Sequence, residues 1–267
     1  MINYSKELKE KIYKDVFYNY YRAVHEFGEK RVFGVFPYGS MNYGSFTNSS
    51  DVDVRVVIIP SIQDIFKNER FLSKEEEVEG NKVTYTDIRN FVKGLCSASP
   101  THIEMIFSPF YYINPLYEDF YNEHIYEKRE EIGRMNTPKL LKSCLGWMKT
   151  FENPKERTYK KVYHYVRLAY FCASVIDGTP LEECFATPAK INDIKFAETF
   201  DINDYDTCVA DASLIIPDIE KYIETHPVDV EKFDAMVENI YNIFADIVFK
   251  VSFLRYKEYF YGNTYSW

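Results

Sequence analysis

From Ser5 to Phe27 the apolar positions Leu8, Ile12, Val16, Tyr20 and Ala23 fall on one stripe at three- and four-residue intervals, with lysine and glutamate between them. That is the spacing of an amphipathic helix, and Gly28 ends it. The period then changes. Val32 to Tyr38 and Val52 to Ile59 are short, continuous apolar runs, the second closed by Pro60. Such runs predict buried strands. A loop rich in Gly, Ser, Asn and Thr, residues 39–50, joins them.

Past Pro60 the periodicity weakens. Glu75 to Glu79 and Lys82 to Thr86 flank Gly80-Asn81 as the arms of a hairpin, and the acidic run Glu75-Glu76-Glu77 reads as a solvated face. Thr86-Asp87 caps a predicted helix from Ile88 to about Ala98, where Ile88, Phe91, Val92 and Leu95 share a side. Pro100 closes that helix, and Thr101 to Phe107 predicts a third strand. Beyond Pro115 strands give way to long helical patterns at Pro138 to Phe151, Tyr159 to Val175, Ile215 to Ile223 and Val230 to Tyr259. The expected organisation is an α/β domain over residues 1–125 and an all-helical domain over residues 126–267, with the boundary within residues 112–136.

Composition narrows the function classes. The chain has 267 residues with 46% hydrophobic content, enough for a sizeable core, and 32 basic against 41 acidic residues give a net charge of −9. An acidic total counts against a long nucleic-acid partner. The five cysteines are scattered without metal-knuckle spacing and read as reduced thiols. The first thirty residues lack the apolar run of a signal peptide, and no stretch reaches membrane-span length. The expectation is a cytoplasmic protein with no membrane partner. His25, His102, His124 and His226 are isolated and read as structural or exposed.

One segment carries chemistry. Asp51 and Asp53 lie at i and i+2 on a predicted strand, which puts both carboxylates on one face while Val52 turns to the other. Shared carboxylates are what a two-metal phosphoryl site requires. Gly39-Ser40 stands a ten-residue spacer before the pair, where Gly39 allows a phosphate to approach the backbone and Ser40 adds a hydroxyl and an amide. Arg55 shares the pair's face, in place to touch a phosphate or hold a carboxylate, and Asn42 and Tyr43 sit in the same loop. Turn chemistry accounts for Asn42 equally well.

Tyr38-Gly39-Ser40 followed by Asp51-Val52-Asp53-Val54 resembles the signature of the DNA polymerase β-like nucleotidyltransferase superfamily. The stretches Tyr38 to Gly44, Asp87-Ile88-Arg89 and Pro100 to Pro109 are similar to the uncharacterised nucleotidyltransferases predicted in bacteria and their phages. The resemblance is clear over residues 32–110 and weak over Lys160 to Arg167. It implies a mixed sheet with helices packed against it, Mg²⁺ or Mn²⁺ as cofactor, and a third carboxylate on a strand beside the pair. Glu104, flanked by Ile103 and Met105, fits that pattern as a catalytic metal ligand, and Asp87 is its rival, with a helix N-cap as the competing role. The resemblance also implies a helical domain that closes over a triphosphate. Lys160, His164 and Arg167 are the cations it would bring, although a solvated helix face has the same residues.

The implied reaction moves a nucleoside monophosphate from a nucleoside triphosphate to a hydroxyl, releasing pyrophosphate. The acceptor, whether small molecule, protein or RNA end, is not written in the chain. A catalytically silent nucleotide-binding or regulatory protein on the same fold is the alternative.

Overall fold

The two apolar runs become neighbouring antiparallel strands at the centre of a five-stranded sheet. The computed structural model describes residues 2, 4–67, 73–152, 158–195 and 202–261. Helix α1 (Lys6–Phe27) starts on Ser5, whose hydroxyl accepts from the Leu8 amide, and stops at Gly28. Then come β1 (Val32–Pro37), a single turn α2 (Ser40–Tyr43), β2 (Val54–Ile58), α3 (Ile62–Phe66), β3 (Ser73–Val78), β4 (Asn81–Asp87), α4 (Ile88–Cys96), α5 (Pro100–Phe107) and β5 (Tyr112–Ile113). Helices follow: α6 (Glu118–Tyr121), α7 (Arg129–Arg134), α8 (Thr137–Glu152), α9 (Tyr159–Ile176), α10 (Leu181–Phe185), α11 (Ala189–Lys195), α12 (Ile202–Ser213), α13 (Ile216–Thr225) and α14 (Val230–Tyr261).

Strand order is β3-β4-β2-β1-β5. Only β2 and β4 run parallel, so the sheet is mixed, as the family resemblance implies. Alternation along β2 divides the core. Val54, Val56 and Ile58 pack under α1 with Ile12, Val16 and Tyr20, whereas Val57 joins Phe33, Phe36 and Phe91 on the opposite face. Asp53 and Arg55 share the Val57 face by the same alternation. That second cluster runs on through Leu140, Leu141, Leu168, Phe171, Ile219 and Phe244, so one apolar core crosses the boundary expected near residue 125.

Two local expectations are corrected. Residues Thr101–Phe107 are helical rather than extended, and Pro100 opens α5 at its first turn instead of closing α4. Proline lacks only an amide that a first turn leaves unbonded. Ile103, Glu104, Met105 and Ile106 are all buried, and a short apolar run enclosed on all sides carries no period to separate strand from helix. The hairpin turn also lies one residue earlier than expected, at Glu79 and Gly80, both with positive φ (52° and 84°). That releases Asn81 to open β4. Among the described residues no helix is long and apolar enough to cross a membrane, and the five cysteines are free, four of them buried.

Candidate active site

The loop after β1 is held rigidly from behind. Gly39 has φ +88°, a conformation that disfavours any side chain although nothing lies within 4 Å of where one would start. Its amide donates to Glu104 Oε1 at 2.6 Å, Asn42 Nδ2 donates to the same oxygen at 2.9 Å, and the Tyr43 hydroxyl donates to Glu104 Oε2. Tyr4 OH bonds Ser40 O at 3.0 Å. The helical half grips the other end of the loop: Tyr163 OH donates to Ser45 Oγ at 3.0 Å, Thr187 N to Tyr43 O at 3.1 Å, and Lys195 Nζ to Ser45 O at 2.9 Å. Ser40 Oγ has no protein partner among the described residues.

The aspartate pair lies on the extended lead-in to β2. Tyr38 N donates to Asp53 O at 3.1 Å, Asn81 Oδ1 accepts from Val52 N at 2.8 Å, and Lys82 N donates to Asp53 Oδ1 at 3.1 Å. Asp51 and Asp53 line an open cavity of about 550 Å³ with Glu75, Glu76, Glu77, Gly80 and Lys82. Burial pushes the Asp53 carboxyl above its ordinary value; the Lys82 amide bond opposes this, nearby Asp51 adds to it, and Lys82 and Lys160 pull it back. Among the described residues no three His, Cys, Asp or Glu side chains converge as a preformed metal cluster. The pair fits the carboxylate share of a Mg²⁺ site, whose remaining positions go to substrate oxygens and water.

Neither candidate for a third carboxylate joins the pair. Both oxygens of Glu104 are occupied by the loop, the residue is 3% exposed, and burial raises its pKa against the pull of its donors and Arg167. It is a buried acceptor that shapes the serine loop. Asp87 pairs in register with Ile58 while Val54, next to Asp53, pairs with Val83. Four residues of strand, roughly 13 Å, separate the two ends. Asp87 caps α4 by accepting from Arg89 N at 2.8 Å and holds the Arg89 guanidinium at 2.7 Å. Asn42 is likewise buried, bonded to Pro37 O and Glu104, and serves the loop rather than a nucleotide.

The expected cations separate. Lys160 is exposed and close enough to Asp53 to act on it electrostatically. Arg167 is 7% exposed with its guanidinium 3.7 Å from the centre of the Tyr43 ring, so it supports the loop from below. His164 stacks on Phe151, and burial, then Arg167, Lys160 and Lys195, push its pKa down to about 3. It is neutral at neutral pH. Arg55 bonds His102 and lies 5.6 Å from the centre of the Tyr38 ring.

Several residues at the site escape sequence reasoning. Lys82 meets Asp53 only because β4 lies parallel to β2, and Glu75 and Glu77 reach the cavity only because β3 pairs with β4 in the register Glu75↔Thr84 and Glu77↔Lys82. Lys195 is brought in by α11. The alternation of Glu75 and Glu77 in a predicted hairpin next to the Asp pair was the available signal.

A glycine-serine loop, a carboxylate pair on an open cavity and an exposed lysine near the pair suit binding and transfer of a phosphorylated group. No curated protein matches the chain. A family model described as RlaP, RNA repair pathway DNA polymerase beta family, matches residues 23–180, more than half of the chain's 267 residues, including the loop, the pair and α9. The chain therefore belongs to this family of polymerase β-type nucleotidyltransferases.

Proposed function

We propose that the protein transfers a nucleoside monophosphate from a nucleoside triphosphate to a hydroxyl at an RNA end, with release of pyrophosphate. The observation that carries the transfer is the placement of Asp51 and Asp53 on an open cavity, with Lys160 near enough to act on Asp53 electrostatically. The choice of RNA as acceptor follows the RNA-repair description of the matching family. With a net charge of −9, the chain suits a short contact with an RNA end better than a long groove.

Asp51 and Asp53 would hold Mg²⁺ or Mn²⁺, which supplies charge neutralisation at the phosphates and lowers the pKa of the attacking hydroxyl. Ser40 Oγ binds the polyphosphate. The hydroxyl oxygen forms a bond to the α-phosphorus as the bond from that phosphorus to the bridging oxygen breaks, and pyrophosphate departs. The hydroxyl proton passes to a carboxylate lining the cavity, drawn from Asp53, Glu75 and Glu77. Lys160 offsets charge on the departing group.

The test uses α-labelled nucleoside triphosphates, Mg²⁺ or Mn²⁺, and short RNAs that differ only in a 3′-hydroxyl or a blocked 3′ end. Label is expected on the hydroxyl-ended RNA alone; label on neither contradicts the acceptor. The lack of a converged third carboxylate among the described residues favours the silent alternative, which predicts nucleotide binding with no transfer to any acceptor.

A further inference from the structure

Arg55 is a cation set into the protein with no carboxylate at ion-pair distance among the described residues. Its Nη1 donates to His102 Nε2 at 3.3 Å and lies 3.6 Å from Met105 Sδ, while its Nε is buried with no partner. Nη2 has no protein partner among the described residues. Nε is sealed from solvent, so the unpaired corner of the guanidinium that a phosphate oxygen can reach is Nη2. A desolvated cation left unpaired is costly, and an arriving oxyanion relieves that cost.

The residue behind it is built into place. A guanidinium only donates, so His102 Nε2 carries the lone pair and Nδ1 carries the proton, 3.0 Å from Ser99 Oγ. Ser99 stands immediately before α5. Helix α4 has Gly94 where a Cβ would lie 2.2 Å from His102 Cγ, so only glycine leaves the ring its seat. Burial and the neighbouring Arg55 charge push the His102 pKa down to about 4, which keeps the ring an acceptor at neutral pH.

We propose that Arg55 is the receptor for a substrate phosphate, and that His102, anchored by Ser99, is the positioning residue that orients it. The location supports this: Arg55 follows Asp53 by two residues on the same strand face, and its guanidinium lies beside Tyr38, the residue before Gly39. The inference rests on the reading of the site as a phosphate-transfer centre. It adds a phosphate contact on the sheet itself, distinct from the serine loop and from α9, and gives a purpose to a histidine that looks isolated in the sequence.

The test is calorimetric binding of inorganic tripolyphosphate and, separately, a 5′-phosphorylated RNA trinucleotide, to wild type, Arg55→Gln, His102→Leu and His102→Gln. In Gln the Oε1 atom takes the place of Nε2 as acceptor, whereas Leu fills the space without one. Tripolyphosphate should bind roughly tenfold more weakly to Arg55→Gln and His102→Leu, with His102→Gln within about twofold of wild type. A loss confined to the RNA also supports the receptor and assigns it to the acceptor's phosphate. Unchanged binding of both probes in Arg55→Gln overturns the proposal, as does failure of wild type to bind either probe. Equal weakening in His102→Gln and His102→Leu overturns the positioning role, because packing alone would then be responsible. Should His102→Leu fail to fold, Arg55→Lys against Arg55→Gln carries the test, since lysine keeps the charge but not the planar guanidinium that His102 orients. Wild type that binds tripolyphosphate through Arg55 yet transfers nothing would contradict the proposed function and leave the receptor standing.

Discussion

Glu104 accepts the Gly39 amide at 2.6 Å across 65 positions of sequence, so an acid resembling a metal ligand instead fixes the first peptide of the serine loop. Removing it in Glu104→Ala leaves the Gly39 amide, Asn42 and the Tyr43 hydroxyl without their buried acceptor. The expected cost is about 3 kcal/mol, read as a lower denaturation midpoint. Glu104→Gln keeps one acceptor oxygen and should keep Mn²⁺ affinity, measured by calorimetry. A folded Gln variant that no longer binds Mn²⁺ would make Glu104 a ligand after all.

Asp53 carries a conflict between fold and function. Burial raises its pKa, so the folded protein favours the protonated form. A carboxyl whose folded pKa lies above its unfolded value contributes stability at low pH that is lost as pH rises through the folded value. Asp53→Asn should therefore melt at a higher temperature than wild type at neutral pH, show less advantage in acid, and lose transfer activity by at least about a hundredfold. A variant that is less stable at neutral pH would contradict this assignment of burial as the dominant cause.

Much of this site is legible in the chain because Gly39-Ser40 and Asp51-Val52-Asp53 act through local geometry: a positive-φ turn and a two-residue alternation. The α1 stripe is equally local. What is not legible depends on sheet register and on packing between distant segments. Lys82 reaches Asp53 only through the parallel β2 and β4 pairing, and Asp87, five residues along the same strand, is carried to the opposite end. Thr101–Phe107 is misread because a short helix buried on successive positions, Ile103 to Ile106, and a buried strand share one pattern. The cluster of Lys160, His164 and Arg167 shares one helix, yet tertiary burial makes Arg167 a loop support and His164 a neutral ring.

His164 should shape the acid limb of stability. Its folded pKa of about 3 lies below its ordinary value of 6.5, so the neutral ring favours folding. That contribution is fully present above pH 6.5 and is lost as pH falls toward 3, because the unfolded chain binds the proton more readily. Urea midpoints measured across this window should fall less steeply in His164→Gln than in wild type. Parallel curves would show that the ring titrates normally in the folded protein.

Lys160 differs from its helix neighbours in being exposed and in acting on Asp53. Lys160→Ala should leave the melting temperature within a degree or two, since surface charges contribute little, roughly 0–1 kcal/mol. It should weaken nucleotide binding about three- to tenfold at low salt, with the difference shrinking as salt rises. A salt-independent loss would point to a direct, desolvated contact.

The most direct measurement is pyrophosphate release from a nucleoside triphosphate with Mg²⁺ and a 3′-hydroxyl RNA, followed for wild type, Asp51→Asn and Asp53→Asn. The expected result is release by wild type, matched by label on the acceptor, and no release by either variant while both remain folded and bind nucleotide. Release that persists in both variants, or nucleotide binding by wild type without release for any acceptor, would contradict the assignment of Asp51 and Asp53 as the centre of a nucleotidyltransferase.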